Sequence, residues 1–378
     1  MNPRLAVLSY YNVSGSFSGG MRRINELLQA IGPERVDLFQ PGREHPLART
    51  VGFKPDFGRH RVGINWGIFN FFWPPTASRV RQRVSSLEPS CLVLTSIWAW
   101  APFARHPMGI PMVLDAQNVD AVAIAERFGS GHPYTRLVAS WERRVVLAAE
   151  RIMVCSEVDR EGLIQAYGVA PGRVHVVPNG AALPPDPVKA GPPLDPMIEN
   201  RLRGATVCLF VGGKLDYPPN AEGLRFMTAS LMPALKRLTS APYKILVVGA
   251  PVPRTCSHPD VIHVGRVPSL DPYLRRADIC LAPIFSGSGT RLKVLDYLAW
   301  GKPLVATPKA VEGIACQDGV HALLADHAAF ASAVERMRQD PALARECGAN
   351  GRELVRQCYE WGAVRSRWQE ALKPWLPE

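Results

Sequence analysis

Residues 286–303 read SGSGTRLKVLDYLAWGKP. Two glycines among hydroxyl residues lead into an amphipathic run that carries Arg291, Lys293 and Asp296. These residue types suit an anion. Glycines let a phosphate approach backbone N–H groups, and a helix start adds unpaired donors and a partial positive charge. A phosphate at the helix start could meet Arg291 or Lys293. Gly287, Ser288, Gly289 and Thr290 are the candidate anion-binding loop, and Asp296, one turn on, is placed to hold ribose hydroxyls. The plain alternative is a surface helix capped by Ser288 or Thr290, with a Lys293–Asp296 pair worth about a few tenths of a kcal/mol. A dinucleotide fingerprint fits less well, because Gly287-x-Gly289-x-x-Leu292 lacks the third glycine.

Anion sites of this kind sit at the carboxyl end of a strand in an open α/β sheet, so the flanking pattern matters. Short apolar runs at Leu5–Ser9, Val36–Phe39, Cys91–Thr95, Pro111–Asp115, Arg151–Cys155 and Val174–Val177 read as strands. Helical spacing falls between several of them, as in Met21–Ile31, Pro133–Glu150 and Glu157–Tyr167. Such alternation predicts a parallel sheet covered on both faces. The proline-dense AALPPDPVKAGPPLDP at 181–196 reads as a semi-rigid linker. The pattern then restarts with strands at Val207–Val211, Lys244–Gly249, Val261–Val264, Ile279–Pro283 and Pro303–Ala306. A helix over roughly Thr290–Trp300 should bury Leu292, Leu295 and Leu298, with Gly301 at its left-handed end. At the close, Trp361, Val364, Trp368 and Leu372 form one helical stripe that needs a partner surface. Spacing does not decide which half supplies it.

A chain of 378 residues, 47% hydrophobic and 20% charged, is too long for one ordinary core. The net charge of +11 favours anionic partners such as phosphorylated small molecules, acidic lipid or nucleic acid. The eight cysteines form no CxxC pair, which argues against zinc and for buried thiols in a reducing cytoplasm. No apolar run is long and unbroken enough to span a bilayer, and MNPRLAVLSYY reads as a first strand rather than a signal peptide.

SGSGTRLKVLDYLAWGKPLVATPKAVEGI resembles the donor-site signature of retaining GT-B glycosyltransferases of family 4, the glycosyl transferases group 1. FVGGKLDYPPNAEGLRFM at 210–227, HVGRVPSLDPYLRRADICLAPI at 263–284, VVPNGAAL at 176–183 and LDAQNVDA at 114–121 resemble further segments of that family. The resemblance covers most of residues 170–330 and is thinner before them. It implies an α/β GT-B fold of two doubly wound Rossmann-like domains facing a cleft. The expected divisions are an acceptor domain at 1–183, a linker at 184–200, a donor domain at 201–358 and a C-terminal helix at 359–378. That helix is a candidate to pack back on the first domain. The implied reaction moves a sugar from a nucleoside-diphosphate sugar to a glycan or lipid-linked acceptor with retention, without cofactor or catalytic metal.

The resemblance also implies roles: Arg291 and Lys293 as the catalytic cations that stabilise a departing diphosphate, and Gly287, Ser288, Gly289, Thr290 and Asp296 as donor-binding residues. Gly213 and Lys214 follow the first strand of the second half, and backbone at Arg266 and Val267 would meet the base. Gly19 and Gly20 resemble a glycine-rich loop that approaches the donor. Asp115, Gln117 and Asn118 are acceptor-side candidates. The family often carries two glutamates with seven residues between them; here Ser288 and Asp296 occupy those places. Related chains often have His at Gln117, and a neutral amide takes no proton, so no general base is named. A nucleotide-sugar epimerase and a non-catalytic nucleotide-sugar or glycan binder are the alternatives, the latter favoured by Ser288. Finally, residues 51–83 combine Lys54, Arg59, Arg61, Arg79, Arg81 and Arg83 with Trp66, Phe69, Phe71, Phe72 and Trp73 around a single acid, Asp56. This composition suits a peripheral contact at the inner face of a membrane, or simply a buried loop; with no recognised nucleic-acid motif, no nucleic-acid partner is expected.

Overall fold

The structure is a computed structural model and describes residues 4–14, 19–42, 49–53, 60–61, 64–65, 69–185, 191–252 and 256–376, with backbone alone for the stretch from 51 to 65. Lys54, Asp56, Arg59 and Trp66 of the basic aromatic strip lie outside the described residues. The chain forms two compact units, Met1–Asn179 with Gly362–Glu378, and Gly180–Trp361.

Unit 1 is built on strands β1 (Leu5–Leu8), β2 (Val36–Pro41), β3 (Arg49–Phe53), β6 (Cys91–Leu94), β7 (Met112–Ala116), β8 (Arg151–Val154) and β9 (Val174–Val176). Between β3 and β6 lies a small antiparallel pair, β4 (His60–Arg61) and β5 (Ile64–Asn65). The main sheet is parallel in the order β3-β2-β1-β6-β7-β8-β9. Its central strands, LAVL and CLVL, are buried at every position, as strands covered on both faces must be. The crossovers run through helices α1 (Gly19–Ile31), α2 (Pro74–Leu87), α3 (Asp120–Phe128), α4 (Pro133–Ala148) and α5 (Glu157–Tyr167).

Unit 2 repeats the plan. Its strands are β10 (Thr206–Val211), β11 (Tyr243–Val248), β12 (Val261–Gly265), β13 (Ile279–Ala282), β14 (Leu304–Ala306) and β15 (Leu323–Leu324). They are parallel in the order β12-β11-β10-β13-β14-β15. Helices α6 (Pro196–Leu202), α7 (Pro218–Phe226), α8 (Met232–Leu238), α9 (Asp271–Arg276), α10 (Leu292–Ala299), α11 (Phe330–Gln339) and α12 (Pro341–Leu354) flank them. In each unit the strand order reverses once, between β1 and β6 and between β10 and β13. Loops at those carboxyl ends diverge and leave a crevice.

The last helix, α13 (Trp361–Leu372), buries the predicted stripe: Trp361 is 4% exposed, and Val364, Trp368 and Leu372 are 0%. From Gly362 onward it belongs to unit 1. The Arg365 guanidinium donates to Glu26 at 2.9 Å, Gln369 donates to the Ala30 carbonyl at 3.0 Å, and Arg23 stacks over Trp368 at 4.7 Å.

The residues expected as a linker at 184–200 include a helix start: α6 begins at Pro196, and the Asp195 carboxylate accepts from the Met197 N–H at 2.7 Å, an ordinary N-cap. One expectation is corrected here. Helix α10 starts at Leu292, not Thr290, and no side chain caps it. Its far end matches the sequence reading. Gly301 has φ 62°, its N–H donates to Leu298 at 2.8 Å and the Lys302 N–H to Tyr297 at 3.1 Å, which is a Schellman closure. All eight cysteines are free. Among the described residues no helix is long and apolar enough to cross a membrane.

Candidate functional site

At the β10/β13 switch point, the loop after β13 folds against the start of α7. Gly287 has φ 92°, and a Cβ there would stand 2.9 Å from Pro219 Cγ, so this turn requires glycine. The Ser286 hydroxyl donates to Glu222 Oε2 at 2.8 Å, which ties the loop to α7. Arg291 lies back along the loop and donates to the carbonyls of Gly287 and, at 3.4 Å, Ser286. Lys293, on the first turn of α10, turns toward β10. Its Nζ donates to Asn220 Oδ1 at 2.7 Å and sits 4.2 Å from the centre of the Phe210 ring. Asn220 is itself held by donating to the Lys214 carbonyl at 2.7 Å. Burial, and then the neighbouring Arg291 charge, push the Lys293 ammonium down to about 7. Two cations therefore share one crevice, each disfavouring the charge of the other, and an anion placed between them would relieve both.

The other candidates lie on neighbouring segments of unit 2. Ser288, Gly289 and Thr290 are half-buried on the same loop, and Asp296 is half-buried on α10. Gly213 and Lys214 are exposed after β10. Arg266 and Val267 follow β12, beyond Gly265 at φ 86°. Close backbone approach brings these loops together: Gly249 donates to the Gly265 carbonyl at 2.8 Å, and a Cβ at Gly249 would meet Gly212 O at 1.6 Å. Sequence reasoning missed Asn220, Glu222 and Tyr297. The Tyr297 hydroxyl accepts from the Val211 N–H at 2.7 Å and pins α10 to the end of β10. Only the PPN turn at 218–220 hinted at them, since polar residues opening a helix beside a switch point are placed to work there.

Unit 1 has its own crevice, a small pocket lined by Tyr10, Tyr11, Thr95, Ser96, Ile97, Ala116, Gln117, Asn118 and Asp120. Gln117 and Asn118 thus reach a cavity, and Gln117 Nε2 is buried with no hydrogen-bond partner among the described residues. Gly20 closes the pocket's flank, since a Cβ there would meet Tyr11 Oη at 2.4 Å and Gln117 Oε1 at 2.5 Å; Gly19 opens α1 at the exposed surface. Asp115 does not line the pocket. It is fully buried, and Arg23 grips it with Nη2 at 2.7 Å and Nε at 3.0 Å, which takes its carboxylate away from any acceptor. Asp120 takes its place as the acid of the pocket. Burial, and then the Glu142 carboxylate, raise it well above the usual carboxylate range. Among the described residues no three His, Cys, Asp or Glu side chains gather as a metal would need.

The chain matches two family descriptions: glycosyl transferase 4-like domain over residues 18–180, and glycosyl transferases group 1 over residues 205–340. The D-inositol 3-phosphate glycosyltransferase of Gordonia bronchialis is 26% identical over 279 residues, which cover 68% of this chain and 59% of that one. The chain therefore spans little more than half the length of that relative. Sucrose-phosphate synthase from Thermosynechococcus elongatus shares the fold with a TM-score of 0.75 at 16% identity, over 98% of both chains. Anabaena HepE, solved in complex with UDP and glucose, gives 0.71 at 15% identity, over 98% of this chain and 99% of that one. With a glycosyl transferase 4-like domain matched in the first doubly wound unit and glycosyl transferases group 1 matched in the second, this chain belongs to the GT-B glycosyltransferases of family 4.

Proposed function

We propose that the chain transfers a sugar from a nucleoside-diphosphate sugar to a glycan or lipid-linked acceptor, with retention at the anomeric carbon and without a catalytic metal. The observation that carries this reading is the pair Arg291 and Lys293 at the β10/β13 crevice, with Lys293 held by Asn220. As the bond from the anomeric carbon to the diphosphate oxygen breaks, its electrons stay on that oxygen. Lys293, Arg291 and the N–H groups of Gly287–Thr290 stabilise the growing charge in a partly desolvated setting. The acceptor hydroxyl adds to the anomeric carbon on the face the diphosphate leaves, and its proton passes to the departing phosphate oxygen. Asp296 and the backbone at Arg266 and Val267 hold ribose and base. Gln117 and Asn118 face the acceptor side. HepE has been solved with UDP-glucose, which favours uridine as the base to try first. Eight free thiols suit a reducing cytoplasm.

Thermal unfolding with UDP, GDP, ADP and TDP, each with a chelator present, tests the donor site. A ligand at a hundred times its Kd adds about 2.7 kcal/mol of stability. A shift with one nucleotide supports the site and identifies the base; no shift with any of them rejects it. Incubating the matching nucleotide sugar with an acceptor and reading the product's anomeric configuration by NMR then tests retention.

A further inference from the structure

The aromatic strip that sequence alone placed near residue 70 is part of a larger surface. Phe72 packs on Trp141 of α4 at 5.1 Å between ring centres and lies 6.4 Å from Trp98, and Trp141 packs on Trp100 at 5.2 Å. Three distant segments, 69–87, 97–108 and 133–148, thus share one aromatic cluster in unit 1. Part of it is not a core. Trp73 is 49% exposed, Phe72 and Phe69 are each 39%, and Leu137, one turn before Trp141 on α4, is 66%. Of the described aromatics Phe69, Phe71, Phe72 and Trp73, only Phe71 turns fully inward, so this stretch is not a simple buried loop.

Charge separates this surface from an ordinary apolar patch. The three segments hold seven arginines and one acid, Glu142. Glu142 points inward, 1% exposed, and accepts from the N–H groups of Asp120 at 2.7 Å and Ala121 at 3.1 Å. No carboxylate of these segments therefore faces outward with the aromatics. Arg144 lies over the Trp100 and Trp141 rings at 5.3 and 5.6 Å, and Arg81 donates to the Pro102 carbonyl at 2.9 Å. Both guanidinium groups are anchored at the edge of the aromatic cluster.

We propose that this face of unit 1 docks on an anionic lipid bilayer. Trp and Phe insert at the headgroup level, Leu137 reaches the acyl boundary, and the arginines meet lipid phosphates. Exposed aromatic and aliphatic side chains with Arg144 and Arg81 at their edge are complementary to that surface. A polynucleotide would use the same cations but would gain nothing from Leu137.

Sedimentation of the full chain with vesicles tests this, using phosphatidylcholine alone and phosphatidylcholine mixed with phosphatidylglycerol. Binding to the mixed vesicles only, weakening as salt rises, is the expected result. Arg144→Gln should weaken it about fivefold, the worth of one cation near the surface. Trp73→Ser and Leu137→Ser, at exposed positions that leave folding intact, should each reduce binding at every salt concentration. A matching circular dichroism spectrum and Tm show that each variant is folded. Equal binding to both vesicles, or folded variants that bind like the parent, overturns the proposal. So does single-stranded oligonucleotide displacing the protein from vesicles while Leu137→Ser leaves oligonucleotide binding unchanged.

Discussion

On the proposed reading, Lys293 carries the central charge of the reaction. Its ammonium is depressed to about 7 from the 10.5 of a free lysine. Between those values the unfolded chain binds a proton that the folded chain does not, so stability should rise with pH from about 7 toward 10. Lys293→Met should remove that rise, which denaturant unfolding across the range can check. A bound diphosphate acts in the opposite sense by restoring the charge. Nucleotide affinity should therefore fall as pH climbs above about 7, by up to tenfold per unit, and binding at pH 8 should take up close to one proton. Calorimetry in two buffers of different ionisation enthalpy reads that uptake directly. A kcat loss of about 10²–10³-fold should accompany Lys293→Met if the charge meets the leaving group. A variant with unchanged proton uptake and turnover would return Lys293 to the role of a packing residue. The position of its loop, between a strand end and a helix start, was legible from the apolar runs on either side of the glycines. Asn220 was not, because a neutral amide in a proline-rich turn carries no charge pattern, and only folding brings it to within 2.7 Å of Lys293.

At the scale of elements, the crevice depends on how closely α7 approaches β13. Gly223, in the middle of α7, makes that possible: a Cβ there would stand 2.4 Å from the Pro283 carbonyl oxygen. Because the obstacle is backbone, the helix itself must move. Gly223→Ala should cost about 1–3 kcal/mol through overpacking. It should also shift Asn220 and Glu222 away from Lys293 and Ser286, so nucleotide affinity should drop more than stability alone explains. A folded variant that binds nucleotide like the parent would show that α7 does not set the site. Elements with a strong apolar signal were read well from sequence, including Glu157–Tyr167, whose bounds coincide with α5. Two of the four edge strands of the parallel sheets, β3 and β15, were not, although β9 and β12 were. β15 is two residues long, and β3, RTVGF, has glycine and arginine where a central strand would have branched apolar residues. Their pairing comes from the neighbouring strand rather than from their own pattern.

Across the whole chain, one buried ion pair ties together the points where unit 1 is interrupted. The chain leaves unit 1 after Asn179 and returns at Gly362. Arg23 donates to the carbonyls of Val177 at 2.8 Å and Pro178 at 3.1 Å, just before the exit, and lies 4.7 Å over Trp368, just after the return. Asp115, on β7, supplies the countercharge. None of this was visible in sequence order, where Asp115 looked like a ligand-facing acid at a strand end and the Trp368 stripe had no assigned partner. A pair separated by 92 residues has no local signature. Arg23→Met should destabilise unit 1 by about 3–5 kcal/mol, because it strands the Asp115 carboxylate in an apolar interior. The double variant Arg23→Met with Asp115→Leu should recover much of that loss, since two apolar groups need no countercharge. Hydrogen exchange distinguishes this from a general weakening. Amides of α13 and of residues 174–179 should lose protection in Arg23→Met and regain it only in part in the double variant. The recovered stability comes from the removed charge, whereas the hold on the Val177 and Pro178 carbonyls stays lost. If α13 keeps its parental protection in Arg23→Met, the stripe of Trp368 and Leu372 holds the returning chain by packing alone.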